Sequence, residues 1–570
     1  MTIERVVIHN FRGVVSADIR LEPYSLLIGA NNSGKSTIMD AIRFFCDPRL
    51  KFDKDRDLPM FVSLPTKDNE SWVELALNFQ DYEITETLRK NMQSSGKMVL
   101  RKYFLSNDRK SGIYCVDESG AISESQFYGA KNIPEGSLFD VLYVPALRNV
   151  SDYTKLSGAS ELRELLGGIL EPIFESKQSQ SYSTFNEAVA AFQENLKTER
   201  TNDSVSLRGF ADEFNNEIKD WGASVDFSLK RLSAGDILKN LIILEVKDGL
   251  LNGCHDVSQY GAGFQRKFIF TLLRLRSRYE VRNQDHRREL PRMTLLLFEE
   301  PEAFLHMDQQ NELARNLIEL SKHGMQVLCT THSPNFVCRS LTMLPALINV
   351  VKRNGPTKVY QIAKSDVEKF LDQSMSCPNN DGDGDIALIK YQLLLNPNRA
   401  SAFFARFVIL VEGTSEEVLV NRMIDDGILR LPTGTVVLEC LGKFNMPRMM
   451  FLLDRLGVRH AIIHDRDETE GQKGWNAFIK DHRTPNTMGI DDLYPAPDLE
   501  RFLGLKKDCG LSKSKAKYAK PQELLRLYDN KDGDGIPQER KRAFAERLMK
   551  LAESGDKVIS GGMYCKQFHK

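Results

Sequence analysis

The residues of this sequence that could do chemistry include four carboxylates at the ends of two short apolar runs. In FVILVEGTSEE, Glu412 follows the first run and Glu416 lies one helical turn later. In HAIIHDRDE, the second run ends with Asp465 and Asp467, which are two positions apart and therefore on one face of an extended chain. Carboxylates that converge repel one another unless divalent cations bind, and hard oxygen ligands suit Mg²⁺ or Mn²⁺. The pattern therefore predicts a metal site.

A second group of residues, GANNSGKST, fits the pattern G-x-x-x-x-G-K-[ST] in full. It lies between the apolar run YSLLIG and the helical pattern SGKSTIMDAIRFF, in which Ile38, Ala41, Ile42 and Phe45 form one apolar face. In such loops the backbone N–H groups converge on a phosphate, the lysine neutralises phosphate oxygens and the hydroxyl ligates Mg²⁺. The alternative is a chance glycine-rich turn. We predict an ATP site, with Ser36 on Mg²⁺, formed by these residues: Gly29, Asn32, Gly34, Lys35, Ser36 and Thr37.

Two further apolar runs end in residues that complete such a site. TLLLFEEPE ends in Glu299, which we assign to the metal side, and Glu300, which we assign as the general base for an attacking water. QVLCTTHSPNF ends near His332, which we place beside the nucleotide. Taken alone, each run also fits a structural reading, namely a strand that enters an acidic turn and a histidine at a strand end.

Length and composition set the limits of this interpretation. The 570 residues predict three or four folding units, and the 41% hydrophobic and 27% charged fractions are typical of a soluble globular protein. The formal net charge of -1 means that nucleic acid would have to bind through local basic patches. Nine scattered cysteines without a CxxC pair indicate reduced thiols. We find no signal or membrane segment and expect a cytoplasmic protein.

The elements that must position these residues alternate between strand and helix patterns, which predicts an α/β fold. Short strands and the phosphate loop occupy residues 1–150, and a polar helical region follows at 151–225. The strand and helix alternation resumes at 226–395, and a second parallel α/β domain is expected at 396–570. The Asn/Asp/Gly-rich segment CPNNDGDGD precedes that boundary. A linker explains it better than a calcium loop, since the EF-hand glycine and final glutamate are missing.

These motifs together resemble a known family. The phosphate loop, EEPE followed by LH, and TTHSP resemble the ATPase of OLD (overcoming lysogenization defect) proteins, relatives of the SMC and RecF ATPases. Glu-Gly-x-x-Glu followed by Asp-x-Asp resembles the Toprim domain of topoisomerases, primases and OLD nucleases. The resemblance spans most of the chain. It implies an ABC/SMC-like ATPase domain with a helical dimerisation insertion, followed by a C-terminal Toprim α/β domain.

The resemblance also implies that a second subunit completes the ATP site. YGAGFQR matches the family's signature segment, so Gly263 and Gln265 are expected to reach the γ-phosphate of ATP held by a partner in a homodimer or larger homo-oligomer. Ala262 stands where many ABC proteins have serine, which removes a hydroxyl contact and argues against fast hydrolysis. LSAGD at 232–236 is a poorer match for the same role. Gln80 and Arg148 are weaker nucleotide candidates, for which a structural role is the better interpretation.

For the Toprim domain, the resemblance implies metals that stabilise charge on a scissile phosphate. Glu412 becomes the candidate general acid or base and a metal ligand, beside Glu416, Asp465 and Asp467. Glu500 and Lys520 stand where OLD nucleases carry a further acid and a lysine. The alternatives are a solvated helix residue for Glu500 and, for Lys520, membership of a basic run that touches a DNA backbone.

The function expected from the resemblance is an ATP-binding, Mg²⁺- or Mn²⁺-dependent DNA endonuclease in bacterial defence against phage. It would act alone, with a helicase as in Gabija systems, or with a retron reverse transcriptase and its RNA–DNA product. A second hypothesis is an ATP-gated DNA clamp or structure sensor without nuclease activity, against which the four carboxylates argue. A third, a transporter ATPase, conflicts with the long C-terminal extension.

Overall fold

The computed structural model describes most of the chain. The described residues are 1–59, 70–80, 86–127, 138–146, 160–175, 180–201, 205–227, 236–237, 240, 242, 244–247, 254–282, 293–337, 341–353, 355–367, 396–466, 470–505, 519–530 and 535–557. Packing divides the chain into two compact units, Met1–Ala146 with Glu289–Lys570, and Leu147–Arg288. The division into four segments made from the sequence stays a prediction.

The strands alternate with helices along most of the chain. The strands are β1 (Thr2–Phe11), β2 (Val14–Arg20), β3 (Tyr24–Ile28), β4 (Ser71–Asn78), β5 (Lys97–Leu105), β6 (Gly112–Val116), β7 (Phe139–Val144), β8 (Val246–Lys247), β9 (Cys254–His255), β10 (Met293–Glu299), β11 (Met325–Thr330), β12 (Leu347–Lys352), β13 (Thr357–Gln361), β14 (Phe407–Val411), β15 (Thr435–Glu439), β16 (Arg459–Ile463) and β17 (Thr487–Asp491). The α-helices are α1 (Lys35–Cys46), α2 (Lys54–Asp57), α3 (Glu86–Arg89), α4 (Glu161–Glu175), α5 (Gln180–Thr198), α6 (Leu207–Glu217), α7 (Ala262–Arg282), α8 (Met307–Ser321), α9 (Pro397–Ala400), α10 (Thr414–Asp425), α11 (Met446–Arg455), α12 (Glu470–Asp481), α13 (Leu499–Phe502), α14 (Ala519–Asp529) and α15 (Gln538–Lys557).

An antiparallel sheet with the strand order β2-β1-β4-β5-β6 begins the first unit. Its strands alternate buried and exposed residues, because one face packs on the core and the other meets solvent. The buried side chain of Gln326 joins this sheet to the next, since its Oε1 accepts a hydrogen bond from the N–H of Ile3 and its Nε2 donates one to the carbonyl of Ile3. The two sheets therefore share one core.

The second sheet has the order β13-β12-β3-β11-β10-β7 and is parallel except for the edge strand β13. Its central strand β3 is buried along its whole length, as expected for a parallel strand covered on both faces. Helix α1 follows β3 and buries the predicted apolar face, Ile38, Ala41, Ile42 and Phe45. The predicted order of strand, glycine-rich loop and helix is thus confirmed. We call these two sheets with their helices the N-terminal lobe.

The third sheet of the first unit is parallel, with the order β15-β14-β16-β17, and forms the C-terminal lobe together with α10–α15. Two hydrogen bonds attach this lobe to strand β12. The amide Nδ2 of Asn349 donates to the carbonyl of Leu456 over 2.7 Å, and the guanidinium of Arg353 donates to the carbonyl of Gly457 over 2.6 Å. The turn before β16 is therefore held against the N-terminal lobe.

The second unit is mainly helical and contains α4 to α7 with the short β8-β9 pair. The helices α4 and α7 pack together, and α5 packs on α6. The segment FQRKFIFTLLRLRSRY lies in the long helix α7. Within the part of the chain that the structure describes, no helix is both long and apolar enough to span a membrane.

Candidate nucleotide and metal-binding sites

The glycine-rich loop joins β3 to α1 and has a backbone that only glycine adopts easily at two positions. Gly29 has φ +137°, and a Cβ there would lie 2.2 Å from the carbonyl oxygen of Val350. Gly34 has φ +110°, and a Cβ there would lie 2.7 Å from Oγ1 of Thr357. Larger residues would push the loop away from β12 and β13. The loop is thus shaped by the strand pair beside it.

Lys35 is the first residue of α1 and only 6% exposed. Its Nζ donates hydrogen bonds to the carbonyls of Gly29 and Ala30, each over 3.0 Å, so the ammonium lies inside the loop curve. Burial lowers the pKa of Lys35 to about 8, although the carboxylates that follow β10 oppose this shift. An anion in the loop would supply the charge that the buried ammonium needs, which is the chemistry of a phosphate site.

The acids after β10 and the histidine after β11 come together beside Lys35. Glu299 ends β10 and is buried, and Glu300 has φ +43°. The Nε2 of His332 lies 3.7 Å from Oε1 of Glu300, and burial followed by the charge of Lys35 lowers the pKa of the imidazole. Sequence reasoning gave no role to Glu302, whose Oε1 accepts a hydrogen bond from the N–H of His332 over 2.6 Å. The last glutamate of EEPE was the available signal.

The remaining predicted nucleotide residues lie in the phosphate loop, in the first turn of α1 or in the second unit. Asn32 and Ser36 are exposed, and Thr37 is half-buried in the first turn of α1. In the second unit, Gly263 lies in the first turn of α7, and Nε2 of Gln265 donates to the carbonyls of Ser258 and Tyr260. Gln80 is exposed beyond the end of β4. Arg148 and most of LSAGD lie outside the described residues, as does CPNNDGDGD.

The predicted Toprim carboxylates lie at the carboxyl ends of two paired parallel strands. Glu412 follows β14, and its Oε2 accepts a hydrogen bond from the N–H of Asp465 over 3.4 Å. Asp465 follows β16, and its Oδ1 accepts a hydrogen bond from the N–H of Leu499 over 2.9 Å. Glu416 lies in the first turn of α10, where its Oε2 accepts from the N–H of Gly413. Asp467 lies outside the described residues.

Burial and mutual repulsion perturb two of these carboxyls. Burial, then the charges of Glu416, Glu412 and Glu500, raises the pKa of Asp465 to about 8. Burial, then the charge of Glu412, raises the pKa of Glu416 to about 7. Both pKa shifts arise first from burial and then from the negative charge of neighbouring carboxylates.

The two tentative residues lie against this cluster. Nζ of Lys520 lies 2.5 Å from Oε1 of Glu500, and Glu500 in turn raises the pKa of Asp465. Burial lowers the pKa of Lys520, but the carboxylates of Glu500, Asp465 and Glu416 outweigh it, so the pKa is raised overall. The structure therefore places Lys520 close enough to four of the predicted acids for their charges to interact. These acids are Glu412, Glu416, Asp465 and Glu500.

Carboxylate oxygens suit a hard divalent cation as ligands. A cation bound here would reduce the repulsion between the carboxylates, which contributes to their raised pKa values. Among the described residues, however, no three His, Cys, Asp or Glu side chains already stand close enough to hold a metal ion. The donor chemistry of these carboxylates fits Mg²⁺ or Mn²⁺.

One residue of this region was missed by sequence reasoning. Lys443, in the loop after β15, is only 2% exposed, and its Nζ donates a hydrogen bond to the carbonyl of Asp465. The adjacent N–H of Gly442 donates to the carbonyl of Glu412 over 2.7 Å. This loop thus touches the backbone at both strand ends that carry the acids. Its signal in the sequence was the pair Gly-Lys shortly after an apolar run that ends in glutamate, LECLGK.

Two family models match the chain. The model of an AAA-domain family, whose description names the AbiEii toxin and a Type IV TA system, matches residues 25–338. The model of the TOPRIM domain of overcoming lysogenization defect protein-like proteins matches residues 403–467. The fold and the two sites thus define an ATPase joined to a Toprim domain. The chain belongs to this AAA-domain family and, through its Toprim domain, to the OLD family of ATPase–Toprim nucleases. The predicted family and fold class are confirmed.

Curated relatives resemble the chain over most of its length. The Old nuclease of Escherichia phage P2 is 23% identical over 518 residues, which cover 86% of this chain and 80% of that protein. Endonuclease GajA of Bacillus cereus (strain VD045) is 22% identical over 563 residues, which cover 94% and 86%. Among solved structures, the SMC head bound to the C-winged helix domain of ScpA gives a TM-score of 0.39 at 18% identity, covering 65% of this chain and 100% of that chain.

Proposed function

We propose that this protein is a metal-dependent DNA endonuclease whose C-terminal lobe cuts phosphodiester bonds and whose N-terminal lobe controls the cutting through bound ATP. The supporting observation is the cluster of charged residues around Asp465, where burial and, after it, neighbouring carboxylates raise the pKa of that carboxyl to about 8. Carboxylates collected without full compensation are typical of sites that bind divalent cations. The two relatives named as nucleases support DNA as the substrate.

The residues of the C-terminal lobe have different roles in DNA cleavage. Mg²⁺ or Mn²⁺ held by Glu416, Asp465 and Asp467, with Glu412 beside them, would stabilise the negative charge that develops on the scissile phosphate. Glu412 contacts the backbone of Asp465 and acts as the general acid or base. Lys520, which pairs with Glu500, offsets part of the acidic charge so that a DNA phosphate can approach.

The contacts of the phosphate loop suggest how bound ATP controls cleavage. Gly29 lies against the carbonyl of Val350 in β12, and the neighbouring Asn349 holds the carbonyl of Leu456 ahead of β16. A change in the loop on binding ATP and Mg²⁺ can therefore be transmitted through the packed residues of β12 to β16, the strand that precedes Asp465. We propose that the signature segment around Gly263 and Gln265 completes the ATP site of a second copy, so that the active form is a homodimer or a larger homo-oligomer.

The biological setting that fits this activity is defence against phage in the bacterial cytoplasm, where invading DNA is the substrate. The control element of the N-terminal lobe fits a nuclease that must be restrained while the cell is healthy. Purified protein should convert supercoiled plasmid to nicked or linear DNA when Mg²⁺ or Mn²⁺ is added, and EDTA should stop the reaction.

The experiment that tests the site compares two glutamate variants. Glu412→Ala should abolish plasmid cleavage while ATP affinity stays at the wild-type value, because Glu412 lies in the other lobe. Glu546→Ala removes an exposed glutamate of α15 and should cut like wild type. Cleavage that persists in Glu412→Ala would contradict the assignment, and a wild-type protein that binds DNA without cutting it would favour the clamp hypothesis.

A further inference from the structure

A cavity of about 510 Å³ lies between the two lobes of the first unit, next to the phosphate loop. On the side of the N-terminal lobe it is lined by residues 29–33 of the loop and 349–353 of β12 and its end. On the side of the C-terminal lobe it is lined by residues 403–407, 432–435 and 458–459. Its volume is in the range of pockets that hold small molecules.

The lining of this cavity is strongly positive. Among the described residues it includes the cations Lys352, Arg353, Arg406 and Arg459, and no aspartate or glutamate. Burial, then repulsion from Arg459 and Arg406, lowers the pKa of Arg353. Cations that repel one another across a cavity attract an anion, and guanidinium groups match the oxygen geometry of phosphate.

The cavity is not the site of the phosphates that the loop is expected to hold. Gly29 and Asn32 of the predicted ATP site reach its lining, but Lys35 and Ser36, the residues that would contact those phosphates and their Mg²⁺, do not. Nζ of Lys35 turns instead to the carbonyls inside the loop. The cavity contacts residues 29–33 of the same loop, beginning where Gly29 packs on β12.

We propose that this cavity is a second anion-binding site, which takes a small phosphate compound of nucleoside monophosphate size. The arginines bind the phosphate, and the apolar surfaces of Phe404, Pro432 and Val458 provide room for the rest of the ligand. Because both lobes contribute to the lining, the bound compound bridges the phosphate loop and the turn before β16. The site is independent of the nuclease proposal.

The test uses full-length protein with Lys35→Ala, which weakens binding inside the loop. AMP, inorganic pyrophosphate and orthophosphate are titrated separately by calorimetry without divalent ions, so that a nucleoside requirement is separated from binding of phosphate alone. We expect AMP to bind the Lys35→Ala protein. Adding Arg406→Gln or Arg459→Gln should weaken AMP about tenfold or more, the loss expected for a charge-assisted hydrogen bond.

Two further variants keep the test decisive. Arg406→Lys preserves the charge and should bind AMP more tightly than Arg406→Gln, which excludes misfolding as the cause of the loss. Arg542→Gln removes an exposed arginine of α15 outside the cavity and should leave AMP binding unchanged. The proposal is overturned if Lys35→Ala protein binds none of the three probes or if the glutamine variants bind AMP normally. None of these readouts depends on DNA cleavage.

Discussion

The ammonium group of Lys443 donates a hydrogen bond to the main-chain carbonyl of Asp465, so a buried cation fixes the backbone of the most perturbed carboxylate in the C-terminal lobe. The next residue back, Gly442, binds the carbonyl of Glu412 in the same way through its N–H. Lys443 therefore acts on the candidate site by positioning the backbone of Asp465. It belongs to the loop that contacts the backbone at both strand ends that carry the acids.

The first prediction concerns this positioning residue. Lys443→Met should lower plasmid cleavage about 10-fold to 100-fold, because a shift of Asp465 by a fraction of an ångström misplaces the cluster. Lys541→Met is the matched control, since Lys541 is also a buried lysine that donates to a main-chain carbonyl, that of Tyr528. Both variants should lose thermal stability, but only Lys443→Met should lose cleavage per folded molecule. Equal cleavage by the two variants would show that Lys443 is merely structural.

The second prediction is the pH dependence of ATP binding. Burial lowers the pKa of Lys35 to about 8 in the nucleotide-free protein, so the ammonium is present below pH 8 and is lost above it. Binding of phosphate favours the charged lysine and requires proton uptake above that pH. ATP affinity measured by calorimetry should therefore be level below pH 8 and fall by up to about tenfold per pH unit above it.

Lys35→Arg provides the control for this pH profile. The guanidinium stays charged throughout the accessible range, so the affinity of this variant for ATP should not decline between pH 8 and pH 9.5. A wild-type profile that stays flat over the same interval would mean that the lysine is not the group that controls phosphate binding.

The third prediction links the acidic cluster to stability. The pKa of Asp465 is raised in the folded state, so the folded protein holds a proton that the unfolded chain releases, and stability falls as pH rises from about 4 to about 8. Asp465→Asn removes this loss. At pH 8 in EDTA its melting temperature should exceed that of wild type by roughly 2–4 °C, as for about 1 kcal/mol in a domain of this size.

Divalent ions should reverse that order. Mn²⁺ at pH 8 should raise the melting temperature of wild type, since the ion binds only the folded cluster, and should leave Asp465→Asn nearly unchanged. Asp425→Asn, an exposed change at the end of α10, should respond to Mn²⁺ as wild type does. An equal Mn²⁺ response in all three proteins would argue against a metal site at Asp465.

The fourth prediction separates two glutamates of EEPE. Glu300→Gln should slow single-turnover ATP hydrolysis by about 100-fold or more, because the general base is lost, while ATP still binds. Glu302→Gln should retain hydrolysis, since its amide oxygen can still accept the hydrogen bond from the N–H of His332. If Glu302→Gln lost as much activity as Glu300→Gln, the roles assigned to these two residues would be wrong.

Much of the fold was predictable because local patterns and packing agree. The apolar runs before Gly29, Glu299 and Glu412 are central parallel strands, and such strands are buried on both faces and therefore read as continuous apolar segments. The loop GANNSGKST carries its own backbone requirement in the glycines at positions 29 and 34. Lys443 escaped prediction because its importance arises from a hydrogen bond to a residue that is distant in sequence.

The sequence by itself determined the family to which the motifs belong, and it named the candidates for the chemistry, which are the lysine of the loop and the acids after the strands. It did so because these motifs are local and their residue types are restricted by phosphate and metal chemistry. Only the tertiary structure decided that Glu500 and Lys520 face Asp465, that Lys443 holds its backbone, and that arginines of both lobes line one cavity. These relationships depend on how parallel strands align their carboxyl ends, which sequence spacing alone does not encode.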